Sequence, residues 1–459
     1  MREIYIARED LQTAFGNLDD HNVRWAYTEW FLNNRDNDGD LLNLDEAYFT
    51  TVRQAYDKLA REGTTTTERV GRIKRRLMRK PSDAVSANKP DCAPLPKGVN
   101  LCGFIQGSFG LGEAVRILAE ILEAGGIPFT VIEFQVGTHR FIEDQWNHKV
   151  SNEFIYNTNI LLSSPNWLPI FMNAVDKSSF TNRYNIGYWF WELQEIPEDW
   201  LPAFDLVDEI WTASEFLRSA FQACTEKPVT TVPLSLSMHE IAPMSRKDFG
   251  LEEDVFIFLM TYDPYSISER KNPDATIRAF LQVFGGNDRV RLLIKYSERR
   301  SDSDEDRILS IAEKTSNIDI IEGVFPKEKM NALIRCCDVL VSLHRAEGFG
   351  LAPAEAMYLG KPVIMTNWSG NTEFMTADNC CPVDFEVIEL KEDVPPYSKG
   401  DHWADPNVEH AAAYMKRLFE DRDYYEAISA KAMDTMRNQF SPEAMAKVLS
   451  NRLKELALI

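Results

Sequence analysis

Residues 338–374 read DVLVSLHRAEGFGLAPAEAMYLGKPVIMTNWSGNTEF. Asp338–His344 is a short, β-rich apolar run. Glu347-Gly-Phe-Gly350 is a turn whose glycines permit backbone angles and close approaches that other residues resist. Leu351–Leu359 has the composition of a helix, with Pro353 in the first turn, where a missing N–H costs nothing. Gly360 stops that helix, and Lys361-Pro362 leads into a strand over Val363–Thr366. The order strand, turn, helix, strand predicts one unit of a parallel α/β sheet.

The free N–H groups of such a helix start attract anions. Glu347 stands at the strand end, and Glu355 one to two turns into the helix. Two carboxylates flanking a phosphate-seeking helix start suit two hydroxylated rings joined by phosphates, as in a nucleotide-sugar. The same pattern also reads as a plain strand–turn–helix unit with solvated glutamates. The wider stretch EGFGLAPAE closely resembles the donor-site signature, Glu-x7-Glu, of family 4 (group 1) glycosyltransferases. These are retaining enzymes of the GT-B fold, in which two Rossmann-like domains face a cleft.

Composition sets the frame. The 459 residues suffice for two or three domains, and 44% hydrophobic content fills ordinary cores. A net charge of −21 argues against a nucleic-acid partner. Seven cysteines, an odd number without metal-site spacing, read as free thiols of a reducing, cytoplasmic protein. No apolar run reaches the ~20 residues that span a bilayer, and MREIYIARED lacks a signal peptide's apolar core.

Residues 1–97 are polar and predict a helical N-terminal extension with a Pro/Ser/Ala-rich linker at 81–97. Within them, 34–45 resembles a calcium-binding EF-hand loop, with Asp36, Asp38, Gly39 and Asp40 in ligand or turn places. Asn34 and Asp45 depart from its first and twelfth places, and a solvated acidic turn is the plainer reading. The tract 69–80 carries Arg69, Arg72, Lys74, Arg75, Arg76, Arg79 and Lys80 beside Ile73, Leu77 and Met78. It suits peripheral contact with an anionic membrane face, each charge contributing about 1 kcal/mol, or a solvated helix.

Two α/β series follow, predicting domains at 98–243 and 244–439, with a last helix over 440–459. The first opens with a strand at Val99–Ile105 and the glycine turn Gln106-Gly-Ser-Phe-Gly-Leu-Gly112. This is G-x-x-G-x-G, not the dinucleotide fingerprint. Tyr184–Glu192, YNIGYWFWE, predicts a strand buried on both faces, with Trp189 and Trp191 on one and Tyr188 and Phe190 on the other. Its end places Trp191 and Glu192 at the cleft edge, where Trp191 would stack on a sugar and Glu192 would bond a hydroxyl of the acceptor; the plainer reading of these aromatics is core packing. In the second series, Asn272 and Pro273 predict a capped helix start directly after Arg270-Lys271.

The resemblance covers about 98–459, most strongly 255–374, and implies roles. Glu355 would bind the ribose hydroxyls and Glu347 the transferred sugar. The backbone of Gly348, Phe349 and Gly350 would meet sugar hydroxyls, and Leu351 a phosphate. Lys271, with Arg270, would grip the diphosphate, so no catalytic metal is expected. Gly110 and Gly112 of the first-domain loop would face the donor, and the last helix would cross back onto the first domain. Two departures stand out. The additional family arginine before the lysine is missing from TYDPYSISE, leaving Arg270 or Arg345 to substitute. The first-domain histidine is missing from NIGYWFWE; His139 and His148 lie in an earlier loop, and His344 beside the donor turn. The WFWE segment also looks like a bacterial polysaccharide subgroup.

The expectation is therefore a metal-independent, retaining hexosyltransferase. It would take a UDP- or GDP-linked sugar and a glycan or lipid-linked glycan acceptor, in the cytoplasm or at the inner membrane face. The alternatives are another GT-B enzyme, such as a nucleotide-sugar epimerase or hydrolase, and a non-catalytic glycan-binding scaffold.

Overall fold

Six short apolar segments of the first half pair edge to edge, all parallel: β1 (Val99–Gly103), β2 (Phe129–Glu133), β3 (Thr158–Ser163), β4 (Tyr184–Trp189), β5 (Glu209–Thr212) and β6 (Val229–Thr231). Their order is β2-β1-β3-β4-β5-β6. Helices α1 (Gly110–Ala124), α2 (Leu168–Ala174) and α3 (Glu215–Gln222) connect them. The structure, a computed structural model, describes residues 94–107, 109–134, 143–238, 241–297 and 304–459. Of the expected N-terminal extension over 1–97, residues 1–93 lie outside these residues, and with them the acidic loop at 34–45 and the basic tract at 69–80; His139 lies outside them too.

The second half repeats the architecture. Strands β7 (Phe256–Tyr262), β8 (Val290–Tyr296), β9 (Ile318–Glu322), β10 (Val339–Ser342), β11 (Val363–Thr366) and β12 (Cys381–Val383) form a parallel sheet ordered β12-β11-β10-β7-β8-β9. Helices α4 (Pro273–Phe284), α5 (Asp304–Ala312), α6 (Lys327–Cys336) and α7 (Leu351–Tyr358) link these strands. An antiparallel hairpin, β13 (Phe385–Glu389) and β14 (His402–Pro406), follows β12. Sequence reading assigned no element there.

Three helices close the chain: α8 (Val408–Glu420), α9 (Arg422–Asp434) and α10 (Pro442–Glu455). Helix α10 packs on α1 of the first domain. There Arg452 makes a bidentate contact with Glu209, 2.8 and 2.9 Å, whose side chain is fully buried. The chain thus returns to the first domain, and the two domains face each other across a cleft.

The aromatic strand ends earlier than its pattern predicts. Pairing stops at Trp189, and Phe190–Glu192 leave the sheet. Trp189 and Trp191 join one core and Tyr188 the other, as the alternation predicts, whereas Phe190, beyond the paired strand, packs against both. Among the described residues, no helix is long and apolar enough to cross a membrane. The six described cysteines are unbridged, and Cys102, Cys337, Cys380 and Cys381 are buried.

Candidate functional site

In the second sheet the strand order reverses between β7 and β10. Ligands of such sheets gather in the crevice beyond the strand ends at this point. The segment after β7 carries Arg270 and Lys271 in a single helical turn, Ser268–Lys271. Asn272 then adopts a left-handed conformation, φ +54°, and its side chain caps α4 at the Ala275 N–H. The segment after β10 brings Glu347 to the same place. The Lys271 amine pairs with the Glu347 carboxylate. The Arg270 guanidinium lies 3.7 Å from that carboxylate and donates to the Ala346 carbonyl at 2.8 Å. Burial raises the Glu347 carboxyl, but Lys271 and Arg270 overcome this and hold it at about 2. Glu347 is therefore an anion fixed between two cations. Its own N–H donates to Ser369 Oγ at 2.8 Å, and its carbonyl accepts from the Gly370 N–H at 2.9 Å.

Gly350 caps α7 at φ +92° without any side-chain cap, so the first amides of that helix keep no side-chain acceptor. Leu351 follows at the cleft wall. Phe349 is buried against Phe374, ring centroids 5.2 Å apart. Glu355, on α7, is buried and paired with Lys327 at the start of α6. Burial pushes the Glu355 carboxyl up against the pull of Lys327. Lys327 also reaches Glu113 of the first domain, 3.0 Å away. Gly110, Glu113, Arg116, Lys327, Leu351 and Glu355 are among the walls of one interdomain cavity of about 840 Å³.

The two loop glycines differ. Gly110 faces that cavity, whereas Gly112 lies beneath it, where a Cβ would come within 2.0 Å of the Gly107 carbonyl oxygen. Gly112 thus serves the close fold of the loop.

On the first-domain side, Phe190–Glu192 abut the turn at 347–350: a Cβ at Gly348 would meet the Trp191 carbonyl oxygen at 3.3 Å. Trp191 is 3% exposed, edge-on to Trp200, 5.2 Å from the Tyr397 ring, and donates its indole N–H to the Glu195 carbonyl. The sugar-stacking role expected of it has no open ring face; it is a core residue. Glu192 accepts from the Tyr397 hydroxyl at 3.2 Å and lies 3.9 Å from Arg270. The structure therefore sets Glu192 beside Arg270 and Glu347.

His344 is fully buried, its ring between Ser342 Oγ and Asn371 Oδ1, both at 3.0 Å. Burial lowers its pKa, and the Asn371 oxygen places the proton on Nε2. It braces the turn. Arg345 is spent on the hairpin, 3.2 Å from Asp405 and above the Trp403 ring, so of the two candidate substitutes Arg270 alone stands beside Glu347. His148 is exposed and stacked on Trp146. Sequence reading missed Ser369, Tyr397, Lys327 and Glu113. Only Glu113, directly after the glycine turn, carried a local signal.

Residues 245–435 match the family of glycosyl transferases group 1. No curated protein matches the chain by sequence. Solved structures share its fold. HepE of Anabaena in complex with UDP-glucose aligns over 78% of this chain and 100% of its own, with TM-score 0.58 and 13% identity. Sucrose-phosphate synthase of Thermosynechococcus elongatus covers 79% and 99%, with TM-score 0.58 and 14% identity. A glycosyltransferase of Rickettsia africae covers 79% and 99%, with TM-score 0.55 and 15% identity. At these identities the likeness is one of fold, and that fold is GT-B.

Proposed function

We propose that the protein is a glycosyltransferase that moves a hexose from a nucleotide diphosphate to a hydroxyl of a glycan acceptor. The observation that carries this reading is the anionic Glu347, held between Lys271 and Arg270 at the switch point of the domain that matches group 1 glycosyl transferases. A diphosphate entering there competes with Glu347 for two cations and meets the open start of α7. Glu347, released, faces the sugar; the backbone of 348–350 meets its hydroxyls; Leu351 N–H meets a phosphate; Glu355 takes the ribose diol. The HepE complex with UDP-glucose supports a UDP-linked donor.

The reaction breaks the bond between the anomeric carbon and the diphosphate oxygen. It forms a bond from the acceptor oxygen to that carbon, and the acceptor proton ends on the departing diphosphate. Charge grows on the leaving group as the bond breaks. Lys271, Arg270 and the helix dipole neutralise it, which lowers the barrier without a metal. Retention of anomeric configuration, a glycan acceptor of the bacterial polysaccharide type and a cytoplasmic setting complete the reading. The tract 69–80 would hold the enzyme at an anionic membrane face, tested by liposome sedimentation of a charge-neutralised variant.

The test begins with thermal shifts in UDP-, GDP- and TDP-sugars, followed by transfer assays of Glu347→Ala and Lys271→Ala. One donor should raise Tm, and each substitution should abolish most transfer. Unchanged transfer in both variants would overturn the assigned roles. Full donor turnover without acceptor would point to a hydrolase or epimerase, and glycan binding without any nucleotide response to a scaffold.

A further inference from the structure

A chain of charged groups crosses the cleft away from the Lys271–Glu347 pair. It starts at Glu355 on the second domain and passes to Lys327, then to Glu113 of the first domain at 3.0 Å. Glu113 is gripped by Arg116 through Nε at 3.1 Å and a terminal nitrogen at 2.8 Å. The remaining terminal nitrogen of Arg116 donates to the carbonyls of Ile105 and Gly107, both at 2.8 Å. The Gly107 carbonyl belongs to the glycine loop and that of Ile105 directly precedes it. An unbroken path therefore runs from Glu355, deep in one domain, to the loop of the other. Its members Glu113, Arg116, Lys327 and Glu355 all line the 840 Å³ cavity.

We propose that Lys327 is a positioning residue that couples occupancy of Glu355 by a nucleotide ribose to ordering of the glycine loop beside the donor. The inference rests on the function proposed above. Two carboxylates share one ammonium group, and the Lys327 side chain keeps 40% exposure, so its geometry can adjust. Each carboxylate accepts several hydrogen bonds. When a ribose diol donates to Glu355, that carboxylate needs Lys327 less, and the ammonium commits to Glu113. Glu113 is already locked to the loop by Arg116, so the loop is held more firmly against the second domain. Linkage demands the converse: a loop held ordered must raise affinity for the ribose. Removing Glu113 leaves Lys327 wholly to Glu355, as a competitor of the ribose. Coupling between sites commonly amounts to about 5–150-fold in affinity, and about tenfold is expected here.

The experiment is hydrogen exchange over residues 104–118 of the full chain, with and without saturating UDP, and GDP in parallel. The same samples give nucleotide dissociation constants. In the unaltered protein the nucleotide that binds should slow exchange over 104–118. A 2′,3′-dideoxy analogue of that nucleotide should bind without slowing it. Glu113→Gln should weaken nucleotide binding about tenfold and lose the slowing. Lys327→Ala should also lose the slowing, and Lys327→Arg, which keeps the charge, should retain it. The proposal is overturned if Glu113→Gln binds nucleotide and slows exchange as the unaltered protein does, or if the dideoxy analogue gives the full response. If neither nucleotide binds the unaltered protein, the donor reading itself fails and the coupling with it, a result distinct from either of those. Because Lys327→Arg and Glu113→Gln preserve size, a misfolded Lys327→Ala does not remove the test.

Discussion

Replacing Gly112 and Gly110 one at a time by alanine separates two glycines that sequence reading treated alike. The Gly112 side is closed. A Cβ there would sit 2.0 Å from the Gly107 carbonyl oxygen and 2.8 Å from that of Phe104. An ordinary carbon–oxygen contact of about 3.4 Å would require these atoms to part by roughly 1.4 Å. The Gly107 carbonyl cannot yield freely, because it accepts from Arg116, which also holds Glu113. Overpacking of this kind costs about 1–3 kcal/mol, a Tm fall of roughly 3–10 °C for a domain of this size. The function should suffer more. A displacement of about 1 Å at a positioned group costs on the order of 100-fold in rate, and the loop lines the interdomain cavity. The Gly110 side is open: no atom lies within 4 Å of the added carbon, and the residue is exposed at the start of α1. Gly110→Ala should be neutral or stabilising by about 0.4–1 kcal/mol through the unfolded chain. The assays are thermal unfolding and kcat/KM for the donor identified by thermal shift. Equal Tm and equal kcat/KM in the two variants would refute the reasoning.

Three further outcomes follow from buried charges. Arg452→Ala strands the fully buried Glu209 carboxylate. It keeps donors from Tyr184 and Trp211, so the loss should be about 2–3 kcal/mol rather than the larger cost of an uncompensated buried charge. Urea unfolding measures it, and a change below about 0.5 kcal/mol, the scale of a plain surface substitution, would mean that α10 is not anchored there. Burial raises Glu133 to about 7 against the backbone N–H bonds of Ile105 and Gln106. Its neutral form is favoured in the folded state, so that stability is present at low pH and lost as pH rises through 7. The Tm of Glu133→Gln should therefore gain on that of the unaltered protein as pH rises from 4.5 to about 7 and hold level above it, and a pH-independent difference would count against it. Glu347 is held at about 2, below its ordinary 4.5, so its contribution is full above 4.5 and vanishes as pH falls toward 2. The stability gap between the unaltered protein and Glu347→Gln, followed by urea unfolding, should shrink over that window; a constant gap would show that the ion pair does not supply it.

Much of this molecule was legible before any coordinates. The strand over Val363–Thr366, the helix from Leu351, the cap at Asn272 and the facial alternation of Tyr188, Trp189 and Trp191 all follow from signals within a few residues. Turn chemistry and burial periodicity act at that range. The hairpin over 385–406 did not announce itself. One of its strands, Phe385–Glu389, lies at the surface without strict alternation, and its pairing depends on residues more than ten positions away.

The stretch 338–374 by itself determined the parallel unit, the anion-seeking helix start and the two carboxylates. What only the tertiary structure decided is who partners them. Glu347 meets Lys271 across 76 positions of chain, Glu192 meets Tyr397 across 205, and Arg452 meets Glu209 across 243. Such pairs carry no periodicity, because the chain between them is set by sheet order and domain packing rather than by local backbone preference. The same folding placed Trp191 in the core and set Lys327 between two carboxylates of opposite domains. Local chemistry could name the groups of this site; only the strand order that sets β7 beside β10 could bring Glu347 to its two cations.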